Sequence, residues 1–169
     1  MLVLGIDPGT AIMGYGFVES HGNRLKAVAY GALRTTAGTP NELRLRHIYE
    51  ELTGLIETYR PDIVSVEELF FNKNVRTAMA VGQARGVALL AAANANVSLL
   101  EFTPLQVKQS VVGYGKATKE QVIFMIQKLL NLHTKLGPDD VADALAVAIC
   151  ATHAHNLAGK LRTMEGHNG

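Results

Sequence analysis

Four acids define the chemistry open to this chain of 169 residues. Asp7 closes the apolar run Leu2-Val3-Leu4-Gly5-Ile6, and the turn signal Pro8-Gly9 follows at once. Glu67 closes a second such run, Ile63-Val64-Ser65-Val66. Asp140 and Asp143 stand three apart in Asp-Val-Ala-Asp-Ala-Leu-Ala-Val-Ala-Ile, so they share one face of a helix. A carboxylate at the tip of a buried strand needs a partner, and four converging carboxylates repel one another. Divalent cations relieve both problems. No cluster of Cys or His offers a softer site, so Mg²⁺ or Mn²⁺ is expected over zinc. Two such ions, about 3.5–4 Å apart, activate a water and stabilise a leaving oxygen, which is the chemistry of phosphodiester cleavage. Taken singly, each acid also fits a structural role: Asp139 or Asp140 as an N-cap, Asp143 as a complement to the helix dipole. The run of Ala, Leu and Val around Asp143 is less well explained that way.

The elements that position these acids follow from pattern. Leu2 to Asp7 is apolar without alternation, which marks a central strand buried on both faces. Ile12 to Glu19 and Leu25 to Arg34 form an antiparallel hairpin around His21-Gly22-Asn23. Thr39 as N-cap and Pro40 at the first position open a helix to about Tyr59, with Leu43, Ile48, Leu52, Leu55 and Ile56 inward and Arg60-Pro61 as its stop. Asp62 to Glu67 is the fourth strand. A loop through Phe70-Phe71-Asn72-Lys73-Asn74 leads to a helix over Val75 to Ala95, rich in small residues. Val97 to Phe102 is the fifth strand. Thr103-Pro104 starts a helix to about Val112, Thr118 caps one to about Leu130, and a last helix runs from Asp139 through Ala154. The order β-β-β-α-β-α-β-α-α-α predicts an α/β fold, a mixed five-stranded sheet with helices on both faces. It is compatible with a ribonuclease-H-like sheet, although periodicity does not single that out. One domain is expected over 1–158, with a flexible C-terminal tail over 159–169.

Composition narrows the classes. Hydrophobic residues make up 48%, enough for a substantial core. The single cysteine, Cys150, excludes an internal disulfide and fits a reducing cytoplasm. No basic segment precedes an apolar one at the N-terminus, so no signal peptide is expected, and the run Gly86 to Ala93 is too short to span a bilayer. The formal net charge of +1 hides an asymmetry: Leu69 to Lys119 carries net +5, and Pro40 to Glu68 carries net −4. Bases beside an acidic site contact phosphates and steer DNA. Lys73, Arg76, Lys108, Lys116 and Lys119 are the candidates, each with the alternative of a solvated surface charge.

Gly5-Ile6-Asp7-Pro8-Gly9-Thr10, Gly14-Tyr15-Gly16, Glu67-x-x-Phe70, Gly82 to Ala88, Gln106-Val107-Lys108-Gln109 and Asp140-x-x-Asp143-Ala144-Leu145-Ala146 together resemble the bacterial RuvC family. Its members are Holliday-junction resolvases with a ribonuclease-H-like fold. The likeness runs in order from residue 2 to about 155. It implies an endonuclease that resolves four-way junctions by paired symmetric nicks in DNA recombination and repair. Asp7, Glu67, Asp140 and Asp143 would be the catalytic metal ligands, Lys108 and Lys119 would lie near the scissile phosphate, and Phe70 would lie against bases. Stacking on an unpaired base is worth roughly 1–3 kcal/mol. Phe71 is the one of the two expected to pack in the core. The resemblance also implies work with the RuvAB branch-migration complex.

A junction of near two-fold symmetry needs two nicks, which a C₂ homodimer supplies. Ala78, Gly82 and Gly86 fall four apart on one helix face and permit close approach. Packing on the helix's own sheet is the equal alternative, and the resemblance favours the dimer. Three other functions compete. Gly-Ile-Asp-x-Gly-Thr also resembles the first phosphate loop of actin-like ATPases, which need two related domains. A ribonuclease-H-like nuclease acting on RNA or other branched DNA would share the fold and the metal site. A non-catalytic junction-binding module would bind without metal-dependent cleavage.

Overall fold

The computed structural model describes residues 1–68 and 75–165, with the side chains of 75, 76 and 158–165 outside the description. The elements come in the expected order: β1 (Leu2–Asp7), β2 (Ile12–His21), β3 (Arg24–Arg34), α1 (Asn41–Tyr59), β4 (Ile63–Glu67), α2 (Val75–Asn94), β5 (Ser98–Phe102), α3 (Pro104–Val112), α4 (Lys119–Leu129) and α5 (Asp139–Glu165). The sheet order is β3-β2-β1-β4-β5, antiparallel through β3, β2 and β1 and parallel through β1, β4 and β5.

The apolar run of β1 is central because each face meets a different layer. Val3 packs under α3, α4 and α5, whereas Leu4 and Ile6 pack under α1 and α2. Side chains alternate along a strand, so Gly5 and Asp7 share the α5 face with Val3. The same count places Glu67 on that face of β4, in line with Ile63 and with Ser65, whose buried hydroxyl donates to the Val147 carbonyl of α5 at 3.1 Å. Three glycines let α5 settle against the sheet. A Cβ at Gly5 would collide with the Ala144 carbonyl, one at Gly14 with the Asp140 carbonyl, and one at Gly16 with the Leu145 side chain.

Local chemistry sets the helix ends. Thr103 and Thr118 cap their helices as expected, and each completes a capping box, with Gln106 and Gln121 respectively. The start of α1 differs from expectation. Pro40 is the cap residue and Thr39 is outside the helix, because the first helical amides, Leu43 and Arg44, donate to the Pro40 carbonyl. Leu43 is also not inward, being 41% exposed. It lies about 140° round the helix from Ile48, off the Ile48-Leu52-Ile56 stripe that is buried. Arg60 ends α1 in the left-handed conformation, its amide donating to Ile56. α5 is longer than expected. It continues past Ala154 to Glu165, in keeping with the good helix formers Leu157, Ala158, Lys160, Leu161 and Arg162. Cys150 is free and buried within it.

Candidate active site

Asp7 and Glu67 end neighbouring parallel strands whose register pairs Ile6 with Val66, so the two acids project side by side from the same edge of the sheet. One strand over, Gly14 pairs with Asp7. The backbone of Asp140 lies directly above Gly14, which fixes the first turn of α5 over this edge. Asp143 follows three residues later. The fold therefore gathers all four acids at one place from three elements far apart in sequence.

The electrostatics record that gathering. Burial, followed by the charges of Asp143, Asp140 and Glu67, pushes the Asp7 carboxyl up to about 7, and Lys119 only partly offsets this. Glu67 is raised by burial and by Asp143, against the opposing pull of Lys108 and Lys119. Asp143 is raised by burial, against its hydrogen bond from Lys119. The Lys119 ammonium donates to Asp143 Oδ2 at 3.0 Å and lies 3.2 Å from Asp139 Oδ2. Burial alone would lower the Lys119 pKa, but the bonds and charges of Asp143 and then Asp139 outweigh it and the pKa is raised. Glu67, Lys108, Lys119 and Asp143 line a cleft of about 230 Å³ floored by Val107 and Ala146.

This donor set suits a hard divalent cation, since every candidate ligand is a carboxylate oxygen and Lys119 and Lys108 only partly offset their charge. Among the described residues, no three acid, His or Cys side chains close around a single point as they stand. Closing on an ion would take rotation of the carboxylate side chains.

The other expected site residues divide. Lys108 and Lys119 line the cleft, and Lys116 is exposed in the loop before Thr118. Gly86 is exposed with open space around it, whereas Ala78 and Gly82 are half-buried. Phe70, Phe71, Lys73 and the side chain of Arg76 lie outside the described residues. Sequence reasoning missed the pairing of Asp139 with Lys119. The signal available was the i, i+4 spacing of Asp139 and Asp143, which puts both carboxylates on one helix face. It also missed why Gly14 and Gly16 matter, which is the close seat of α5.

A mixed five-stranded sheet of this order, with a carboxylate cluster at the C-terminal ends of its central parallel strands, defines a ribonuclease-H-like domain of the nuclease type. The family profile described as "Crossover junction endodeoxyribonuclease RuvC" matches residues 3–151, and the chain belongs to that family. It is 56% identical over 163 residues to the crossover junction endodeoxyribonuclease RuvC of Desulforamulus reducens, covering 96% of this chain and 100% of that protein. It is 62% identical over 154 residues to that of Heliobacterium modesticaldum, covering 91% and 95%. Among solved structures, Thermus thermophilus RuvC in complex with Holliday junction substrate superposes with a TM-score of 0.89 at 33% identity, covering 94% and 96% of the two chains.

Proposed function

We propose that this chain resolves four-way DNA junctions by paired symmetric nicks, with Asp7, Glu67, Asp140 and Asp143 holding divalent cations. Family membership supplies the reaction class, that of a crossover junction endodeoxyribonuclease. The observation that carries the residue assignment is the burial of Asp7 beside Asp143, Asp140 and Glu67, which together raise its carboxyl to about 7. Strongly perturbed carboxylates beside a cleft are characteristic of functional sites.

The ions are Mg²⁺, with Mn²⁺ able to substitute, and two per site. When bound, they favour the ionised carboxylates and supply an activated water for phosphodiester hydrolysis. Asp7 and Glu67 give a rigid half of the site, since both sit on central strands. Asp140 and Asp143 give the other half from a helix locked to the sheet by Gly5, Gly14 and Ser65. Lys108 and Lys119 face the cleft from α3 and α4, where their charges meet the phosphate being cut. Phe70, Lys73, Arg76 and Lys116 are the further DNA contacts.

Two sites come from a homodimer through α2. Met79 and Leu90 on that helix are 63% and 53% exposed, and Gln83 and Gly86 between them are exposed too. They form an outward stripe with Gly86 at its centre, flanked by Ala78 and Gly82. Work in the cytoplasm with RuvAB completes the proposal. No helix among the described residues is long and apolar enough to cross a membrane.

Mn²⁺ binding followed by electron paramagnetic resonance tests the ligand assignment. Two ions per wild-type chain are expected, with weakened binding in Asp7→Asn and Asp143→Asn. Equal binding by wild type and both variants would overturn it.

A further inference from the structure

Lys119 has two carboxylate partners with different environments. Asp143 is 39% exposed and belongs to the acid cluster, where its charge acts on both Asp7 and Glu67. Asp139, one helical turn earlier on α5, is 68% exposed and is absent from the charges that act on Asp7. Asp139 thus stands at the edge of the cluster, where its charge acts on Asp143 but not on Asp7, and within 3.2 Å of the Lys119 ammonium. The base of the lysine arm is fixed, because Lys119 opens α4 directly after the Thr118 cap, whose amide donates to Gln121 Oε1 at 2.8 Å. Only the four-carbon arm moves. An Asp143 engaged with a cation shares its charge with that ion and holds the lysine less strongly, whereas Asp139 keeps its charge for the lysine. An ammonium released there would swing to solvent, at a cost in order for every turnover.

We infer that Asp139 is a positioning residue for Lys119: it retains the ammonium at the mouth of the cleft when Asp143 turns to a cation. The inference rests on the proposed metal site for its catalytic meaning, but the grip of Asp139 on Lys119 is a separate fact of the chain.

Amine acylation of Lys119 with acetic anhydride, read by peptide mass spectrometry, measures that grip without any turnover. In EDTA, Asp143→Asn leaves Asp139 as the only carboxylate among the described residues held to Lys119. Adding Asp139→Asn to that variant should raise the Lys119 acylation rate several-fold, with Lys128 as an internal standard. An unchanged rate would overturn the inference whatever the metal site does. Asp139→Asn alone should then lower single-turnover junction cleavage about 3- to 10-fold with junction Kd unchanged, and Asp139→Glu should restore most of it. Cleavage equal to wild type in Asp139→Asn would also overturn the inference. Absence of Mg²⁺-dependent cleavage in the wild type, with the acylation difference intact, would instead count against the proposed function.

Discussion

Replacing Asp7 with Asn should stabilise the protein in the absence of metal while removing its activity. Burial and three neighbouring acids lift the Asp7 carboxyl from 3.8 to about 7. The folded chain therefore holds a proton that the unfolded chain releases between about pH 4 and pH 7. Stability is then fully present below pH 4 and falls as pH rises through 7. At 1.36 kcal/mol per tenfold change in proton affinity, the rise corresponds to about 4 kcal/mol above pH 7. Partial solvent access to the cleft reduces this to about 2–4 kcal/mol. Asn carries no charge, so in EDTA the melting temperatures of Asp7→Asn and wild type should be similar at pH 4. They should separate by about 5–15 °C in favour of the variant at pH 8, using roughly 2–4 °C per kcal/mol for a domain of this size. Saturating Mg²⁺ should reverse the order, because a ligand that binds only the folded state stabilises by mass action and the variant has lost a ligand group. Differential scanning calorimetry at pH 4, 6 and 8, with EDTA and with Mg²⁺, reads all of this. A variant that melts with or below wild type at pH 8 in EDTA, with no gap opening across the series, would refute the claim that the four acids strain one another.

Two further perturbations follow from the same geometry. Lys108→Ala and Lys119→Ala should each lower cleavage about 10- to 100-fold while junction Kd changes less than about threefold, measured by single-turnover cleavage and by gel shift, because both lysines face the cleft rather than the wider surface. Wild-type turnover in both would reduce them to surface charge. Gly14→Ala should lift the first turn of α5, since the new methyl would meet the Asp140 carbonyl. A loss of about 1–3 kcal/mol in denaturant stability together with weakened Mn²⁺ binding is expected, and retention of both would contradict the close seat of α5 on β2.

The order of elements was legible because the chain punctuates itself. Pro-Gly after Asp7, Thr-Pro before α3 and Thr118 before α4 each work through a local backbone requirement, and each held. The four acids were legible for the same reason: two close apolar runs and two share a helix turn. What was not legible depends on where a helix starts its bonding and phase, and on pairing between distant segments. Thr39-Pro40 has the same form as Thr103-Pro104, yet only Thr103 caps its helix, because at α1 the first helical bonds run to Pro40 itself. Leu43 reads as inward by hydropathy and is turned away by the phase of the Ile48-Leu52-Ile56 stripe. The role of Gly14 requires knowing that α5 crosses β2, and the role of Asp139 requires knowing that α4 begins beside α5. The end of α5 was missed for a different reason: the residues after Leu157 are polar and contain Gly159, but they are mostly good helix formers.

The most direct measurement offers purified protein a synthetic mobile four-way junction, a plain duplex and an RNA–DNA hybrid, each with Mg²⁺, Mn²⁺ or EDTA, alongside Asp7→Asn. Paired symmetric nicks in the junction alone, lost in EDTA and in Asp7→Asn while junction binding persists, are the predicted result. Cleavage of the hybrid or duplex, tight junction binding with no cut in either metal, or nicking by Asp7→Asn would contradict the account.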